Sequence, residues 1–500
     1  MSELSDYPQL INPRKNRNSP EGQGFSEEFD TGFAADGQLP RPQDSSTSVG
    51  GNRAVISAPA IKSKPERADT PGSVHQLMKR GHFISFLGLL LFTLFVYFRP
   101  YEYSPSFMVL ATGAKWIAAF TLLVFLPTQL ALEGNLTTRP REVNLILLLT
   151  VTALLSLITA ISVSEAWDSF TEYLKVVAMF IVMVNVVRTE GRLRWMLWLA
   201  LAVSLTTSVA AISDYQAGRL LIGGVRIKGS IGGLFENPND LALHLVTILP
   251  FAVCLMLAAK GLLKKVIYLS AGLILLAGII CTFSRGGFLG LIAVALVIVW
   301  KLGRKNRAAV TAITLIVIIA FVLFAPAQYG GRLSSIWGVD ATGSSNARQE
   351  LFWRSLIVAL RYPIFGVGMG NFHFRSIQEQ VSHNSFTQVA SELGMAALLF
   401  YVLFMITPLK RMKRIENETF GVKDKARFYY LSIGLQASLI GYMVASFFAS
   451  VAFLWYVYYL VGYAVCVSRL YADEVARDQL PPADSSSWWS RLRSPKVGAV

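Results

Sequence analysis

The chain has 500 residues, of which 53% are hydrophobic and 15% charged, and carries a formal net charge of +15. Apolar stretches of roughly 17–25 residues recur along it, each long enough to cross a bilayer's hydrocarbon core, which excludes a single soluble core. In a soluble chain the charge would suggest nucleic acid; here cationic cytoplasmic loops facing anionic lipid account for it better, so membrane lipids are expected as partners and nucleic acid is not.

Residues 1–80 are rich in Pro, Gly, Ser and charged side chains and have no sustained apolar period, so a disordered cytoplasmic tail is expected. No apolar run begins near Met1, which argues against a signal peptide. Residues 81–470 then read as a bundle of about twelve spans, near 83–98, 105–130, 143–163, 169–187, 193–212, 240–259, 265–283, 286–301, 308–325, 385–408, 427–447 and 450–469. Only helices suit such segments, since a barrel needs shorter alternating ones. The fold class expected is therefore all-α, a polytopic membrane helix bundle. Residues 471–500 are expected to form a cytoplasmic C-terminal tail.

Basic residues orient this bundle. Arg139 and Arg141, then Arg188, Arg192 and Arg194, then Lys260, Lys264 and Lys265 lie on alternate connections. Lys301 to Arg307 and Lys410 to Arg427 continue the series, whereas the connection Ser164-Glu165-Ala166-Trp167-Asp168 is acidic. The positive-inside rule then places both termini in the cytoplasm. Two long connections fall on the opposite face, about 213–239 and 326–384. Connections of that length are usually functional or disordered. The second contains an amphipathic helix near 346–361, with Phe352, Leu356, Ala359 and Leu360 as its apolar stripe, Arg348 and Arg361 on the wet side and Pro363 as its stop. Such a helix suits either the outer membrane interface or an ordinary loop surface.

Three polar clusters belong to this outer face. The first joins Arg226 and Lys228 to Glu236-Asn237-Pro238-Asn239-Asp240 at the start of a span. Asn239 reads as a helix cap, and the two cations as a solvated loop face or ligands. Asp240 and His244, four residues apart, share a helix face and read as a polar pair rather than a metal site. The second cluster is Ser284-Arg285-Gly286-Gly287, a tight break between spans. Arg285 either reaches out to lipid headgroups or clamps phosphate, for which a planar, always-charged fork is suited. The third is Gly366-Val367-Gly368-Met369-Gly370-Asn371-Phe372 followed by His383-Asn384 and, inside the next span, Glu392. The glycines permit tight turns but lack the spacing of a dinucleotide fingerprint. With an ordinary imidazole pKa, His383 suits a base near neutral pH, although a histidine at a helix start is often structural. Glu392 lies nine residues on, two and a half turns round a helix, so the two side chains do not pair directly. A titratable group at lipid depth is costly, and Glu392 reads as packing, a bundle hydrogen bond or acceptor positioning. Cys254, Cys281 and Cys466 all lie in apolar segments without metal or CxxC spacing.

In order and topology, Arg226…Asn237-Pro238-Asn239, Ser284-Arg285-Gly286, Pro363-Ile364-Phe365-Gly366-Val367-Gly368 and His383-Asn384…Glu392-Leu393-Gly394 resemble the O-antigen ligase and polymerase superfamily over roughly residues 140–465. His383, Asn384 and Gly394 match its histidine, Asn/Ser/Gln and glycine pattern; Ala397 departs from the last position, where Gly, Thr or Tyr stands. The resemblance implies a bacterial inner-membrane enzyme that transfers a glycan from undecaprenyl diphosphate to a glycan or lipid acceptor on the extracytoplasmic side, by an inverting displacement without metal, nucleotide sugar or other cofactor. The absence of a DxD motif, a P-loop and a Rossmann half agrees with that. On this resemblance Arg226 and Arg285 hold the diphosphate, His383 takes the acceptor proton, and Arg348, Asn384 and Glu392 complete the substrate-binding set. A transporter or flippase of lipid-linked glycans is the alternative of a different class; it calls for internal repeats, which the single loop at 326–384 breaks. A non-catalytic scaffold leaves Arg285 and His383 together unexplained. Ligase, polymerase and protein oligosaccharyltransferase are not separated by these motifs, and the oligomeric state carries no sequence signal.

Overall fold

The structure is a computed structural model. It describes residues 82–102, 112–219, 221–222, 226–227, 229, 234–235, 237–304, 307–308, 311–312, 315–316, 319, 343–377 and 379–479. The expected tail at 1–80, most of the span at 308–325, the loop segment 326–342, Lys228, Glu236 and residues 480–500 lie outside the described residues.

The described chain is a helical bundle. Its helices are α1 (Phe83–Phe98), α2 (Gly113–Glu133), α3 (Arg141–Leu155), α4 (Val163–Val186), α5 (Glu190–Gln216), α6 (Pro238–Ala258), α7 (Leu262–Cys281), α8 (Arg285–Gly303), α9 (Gly343–Arg361), α10 (Ser385–Leu393), α11 (Met395–Thr419), α12 (Ala426–Ala445) and α13 (Trp455–Asp478). One small hairpin pairs β1 (Leu221–Ile222) with β2 (Arg226–Ile227), Ile222 opposite Arg226. The all-α polytopic membrane class expected from the sequence therefore holds. Among the described residues nine helices are long and apolar enough to span: α2, α3 with its 3₁₀ extension, α4, α5, α6, α7, α8, α11 and α12 with its own extension. α1 is a shorter apolar helix of 16 residues.

Several starts follow from local capping chemistry. The Ser162, Thr189, Asn237, Ser284 and Asn384 side chains accept hydrogen bonds from the first turns of α4, α5, α6, α8 and α10. Pro238 stands at the first position of α6, where a missing N–H costs nothing. α6, α12 and α4 form the middle of the bundle, with 72, 67 and 61% of their apolar windows buried, against 22% for α2. α12 packs against α6, α8 and α11. Small residues allow this: Gly441 on α12 approaches Val294 and Gly290 on α8.

Three expectations are corrected. The stretch 385–408 is not one span. It divides at Gly394 into the nine-residue α10 and the spanning α11, so Glu392 precedes the span instead of lying inside it. α9 buries Leu351, Ser355, Val358 and Ala359, while Leu360 is 66% exposed; the packed face is turned from the expected stripe, because it meets α10 and the segment at 372–375. α13 stays helical to Asp478, past the boundary expected at 470, and its last two turns carry charged side chains.

Candidate functional site

α6, α8 and α10 begin at the same end of the bundle, and α12 ends there. Arg226 on β2 donates from Nη2 to Asn239 Oδ1 at 2.9 Å, and Ser284 Oγ donates to the same oxygen at 2.8 Å. Ser284 Oγ also accepts the Gly287 N–H at 3.1 Å, so one hydroxyl both caps α8 and ties it to α6. The turn before it is tight: Phe283 has φ +48°, and Ser284 N–H donates to Thr282 Oγ1 at 3.2 Å. This fixes Arg285, the next residue, half-buried at the first turn of α8.

Arg348 on α9 comes close to Arg285. Burial, and then the Arg285 charge, lower its pKa from the ordinary arginine value. Arg348 in turn neighbours His383, whose pKa is pushed down to about 4 by burial and then by the Arg348 charge. The ordinary imidazole value expected from sequence is thus corrected, and the ring is neutral at physiological pH. His383 has φ +51°, a left-handed conformation uncommon for residues other than glycine. Next to it Asn384 is 2% exposed. Its Oδ1 accepts from Phe386 N–H at 2.9 Å and Thr387 N–H at 3.0 Å, while its buried Nδ2 has no hydrogen-bond partner among the described residues.

Glu392 faces elsewhere. It is 4% exposed, and Gly370 N–H donates to its Oε2 at 3.0 Å. The loop it holds is doubly pinned to the end of α10: Val367 N–H donates to Ser391 O, Gly368 N–H to Glu392 O, and Met395 N–H to Pro363 O at 2.8 Å. Two glycines make this close approach possible. Gly366 has φ +68°, and a Cβ there would fall on the Glu392 carbonyl; Gly394 has φ +92°, and a Cβ there would lie 2.8 Å from Pro363 O. Burial raises the Glu392 pKa to about 8, against the hydrogen bonds from the loop, so at neutral pH the group is largely a neutral acid.

The expected Asp240–His244 pair is replaced by a contact of His244 Nε2 with Ser204 Oγ at 2.9 Å on α5. The three cysteines are buried and free. Sequence reasoning missed the joining role of Ser284 and Asn239, for which the cap pattern at each helix start was the available signal. It also missed His373, whose Nδ1 meets Gly370 O at 2.9 Å and whose Nε2 lies 3.3 Å from Glu165 Oε2. Nothing local links those residues, so no pattern announced them.

Arg226, Arg285, Arg348, His383 and Asn384 therefore gather at one end, while Glu392 supports the loop beside them. Residues 270–402 match the family model described as O-antigen ligase. Over this segment the chain is similar to the O-antigen ligase family. The segment runs from within α7 into α11 and includes Ser284, Arg285, Arg348, His383, Asn384 and Glu392. Arg226 and Asn239 lie outside the matched residues but bond into the segment through Ser284. No curated protein matches the chain. That likeness, in a polytopic helical bundle, supports a membrane protein of the glycan-transferring ligase or polymerase kind.

Proposed function

We propose that the chain transfers a glycan from undecaprenyl diphosphate to an acceptor hydroxyl, with inversion at the anomeric carbon and without a metal, on the extracytoplasmic face of a bacterial inner membrane. The observation that supports this is a group of polar side chains at one end of the bundle: Arg226 tied through Asn239 to Ser284 beside Arg285, and Arg348 near both Arg285 and His383. Cations held at one place attract a polyanion. A diphosphate leaving group is such a polyanion, and preorganised cations stabilise the charge that develops as it departs. Arg226 and Arg285 hold the diphosphate, and Arg348 lies between them and His383.

The acceptor oxygen forms the new bond to the anomeric carbon as the carbon–oxygen bond to diphosphate breaks. The acceptor proton passes to His383, and the electron pair leaves on the diphosphate. At a pKa of about 4 the free imidazole is a weak base. A bound anion raises the pKa of a nearby imidazole and offsets the Arg348 charge that lowers it. Asn384 Nδ2 supplies a buried donor for a substrate oxygen.

The test is transfer from purified undecaprenyl-diphosphate glycan in nanodiscs, with folding checked by size exclusion. His383→Ala should lower turnover about 10²–10⁴-fold while donor binding persists. Arg285→Ala should weaken both, and Arg285→Lys should also hurt, because an ammonium keeps the charge but loses the fork. Activity should fall as pH drops and the imidazole is protonated, with the midpoint for kcat above that for kcat/KM, because only the former reports the donor-bound state. EDTA should change nothing. Near-normal turnover in His383→Ala would return the residue to a structural role.

A further inference from the structure

A cavity of about 740 Å³ opens at the other end of the bundle, where the basic connections lie. Its wall is apolar: Leu197, Leu201 and Leu205 on α5, Leu255 and Ala258 on α6, and Leu431 on α12. Its mouth is basic, formed by Arg194, Lys260 and Lys264, all exposed and none in an ion pair with a described residue. Glu190 is the one carboxylate among the lining residues, and it is already taken by Arg427 at 3.0 Å. Arg427 is held by Glu474 as well. The lining therefore keeps an uncompensated positive charge at its mouth. Gly261 caps α7 without a side chain, so the first amides of α7 open at the same mouth and add to its attraction for anions. On the rim, Trp198 Nε1 donates to Tyr268 Oη at 3.1 Å, the kind of amphipathic aromatic pair found at headgroup depth.

A free anion would use the cations and leave the leucine wall wet. A neutral lipid would use the wall and leave the cations idle. We infer that this groove holds one anionic phospholipid from the leaflet at the basic end, its acyl chains on the leucine wall and its phosphate between Arg194, Lys260 and Lys264. The proposed donor diphosphate site lies at the opposite end of the same helices. Because α6 alone has 21 residues, the two sites are about 30 Å apart.

The experiment is native mass spectrometry of the full-length protein, delipidated in neutral detergent and titrated with phosphatidylglycerol or with phosphatidylcholine of the same chains. One phosphatidylglycerol should be retained with at least about tenfold preference. Lys260→Gln with Lys264→Gln should weaken it about 30-fold, some fivefold for each lysine, and leave phosphatidylcholine unaffected. Ala258→Trp, which fills the wall, should weaken both lipids; if it fails size exclusion, the exposed lysine pair still decides. Equal binding of the two lipids, or wild-type binding by the lysine pair, would overturn the inference. So would full displacement by inorganic phosphate, which indicates a free-anion site, or tighter one-for-one binding of undecaprenyl phosphate, which indicates a single-chain lipid.

Discussion

Asn384 divides its amide between two tasks, and Glu392 gives up its charge for one. Asn384 spends its oxygen on the first turn of α10 and keeps its nitrogen for the pocket. Glu392 accepts from the loop backbone in a buried setting where burial outweighs those bonds. Its folded pKa of about 8 stands above the ordinary 4.5, so the folded state binds the proton more tightly. That contribution to stability is complete below pH 4.5 and is lost as pH rises through about 8. Glu392→Gln should therefore stay within about 1 kcal/mol of wild type at pH 4.5 and below, because an amide oxygen can still accept from Gly370, and should be the more stable of the two at pH 7. Glu392→Ala should cost about 2 kcal/mol by stranding a buried N–H. Thermal unfolding of both variants across pH 4–10 checks this: the wild type should lose stability between about pH 4.5 and about 8 and level off above, and the Gln variant should lack that fall.

At the scale of elements, the decisive feature is the break between α10 and α11. Hydropathy runs through it without pause, since Ala390, Leu393, Met395 and Ala397 are all apolar. The chain nevertheless turns at Gly394, whose φ +92° and ψ 175° suit glycine almost alone. The break lets α10 lie beneath the 363–372 loop and presents His383 and Asn384 at the pocket. Gly394→Ala should destabilise the protein by about 2–4 kcal/mol, from the backbone conformation and the contact with the Pro363 and Ile364 carbonyls. A melting curve of the purified variant measures it. A wild-type melting temperature would mean that the break tolerates a side chain.

Across the whole molecule, the pocket and the basic connections sit at opposite ends of α6, α8 and α12. Several of the cations that set the expected orientation are already neutralised: Arg188 by Glu133, Arg411 by Glu142 at 3.2 Å, and Lys301 by Glu416. Glu416 is consequently buried and makes a poor accessibility probe. Exposed positions serve better: Ser164 in the first turn of α4 and Lys423 on the connection between α11 and α12. An impermeant thiol reagent applied to whole cells should label Ser164→Cys and spare Lys423→Cys. The opposite result would reverse the orientation, and with it the side of the membrane on which the pocket faces.

The sequence alone determined the membrane class and the polar residues that stand at the ends of the spans, but it put the α6 cap at Asn239, where the structure has Asn237. Each is a local matter: span length, an oxygen before a helix, a charge that hydrocarbon will not tolerate. Only the tertiary structure decided that Arg226 reaches Ser284 through Asn239, that Arg348 stands between Arg285 and His383, and that Glu392 serves the loop instead of the pocket. Those contacts join residues that lie far apart in the chain, and burial, which sets the charge of both His383 and Glu392, is a property of the packed bundle and of no single segment.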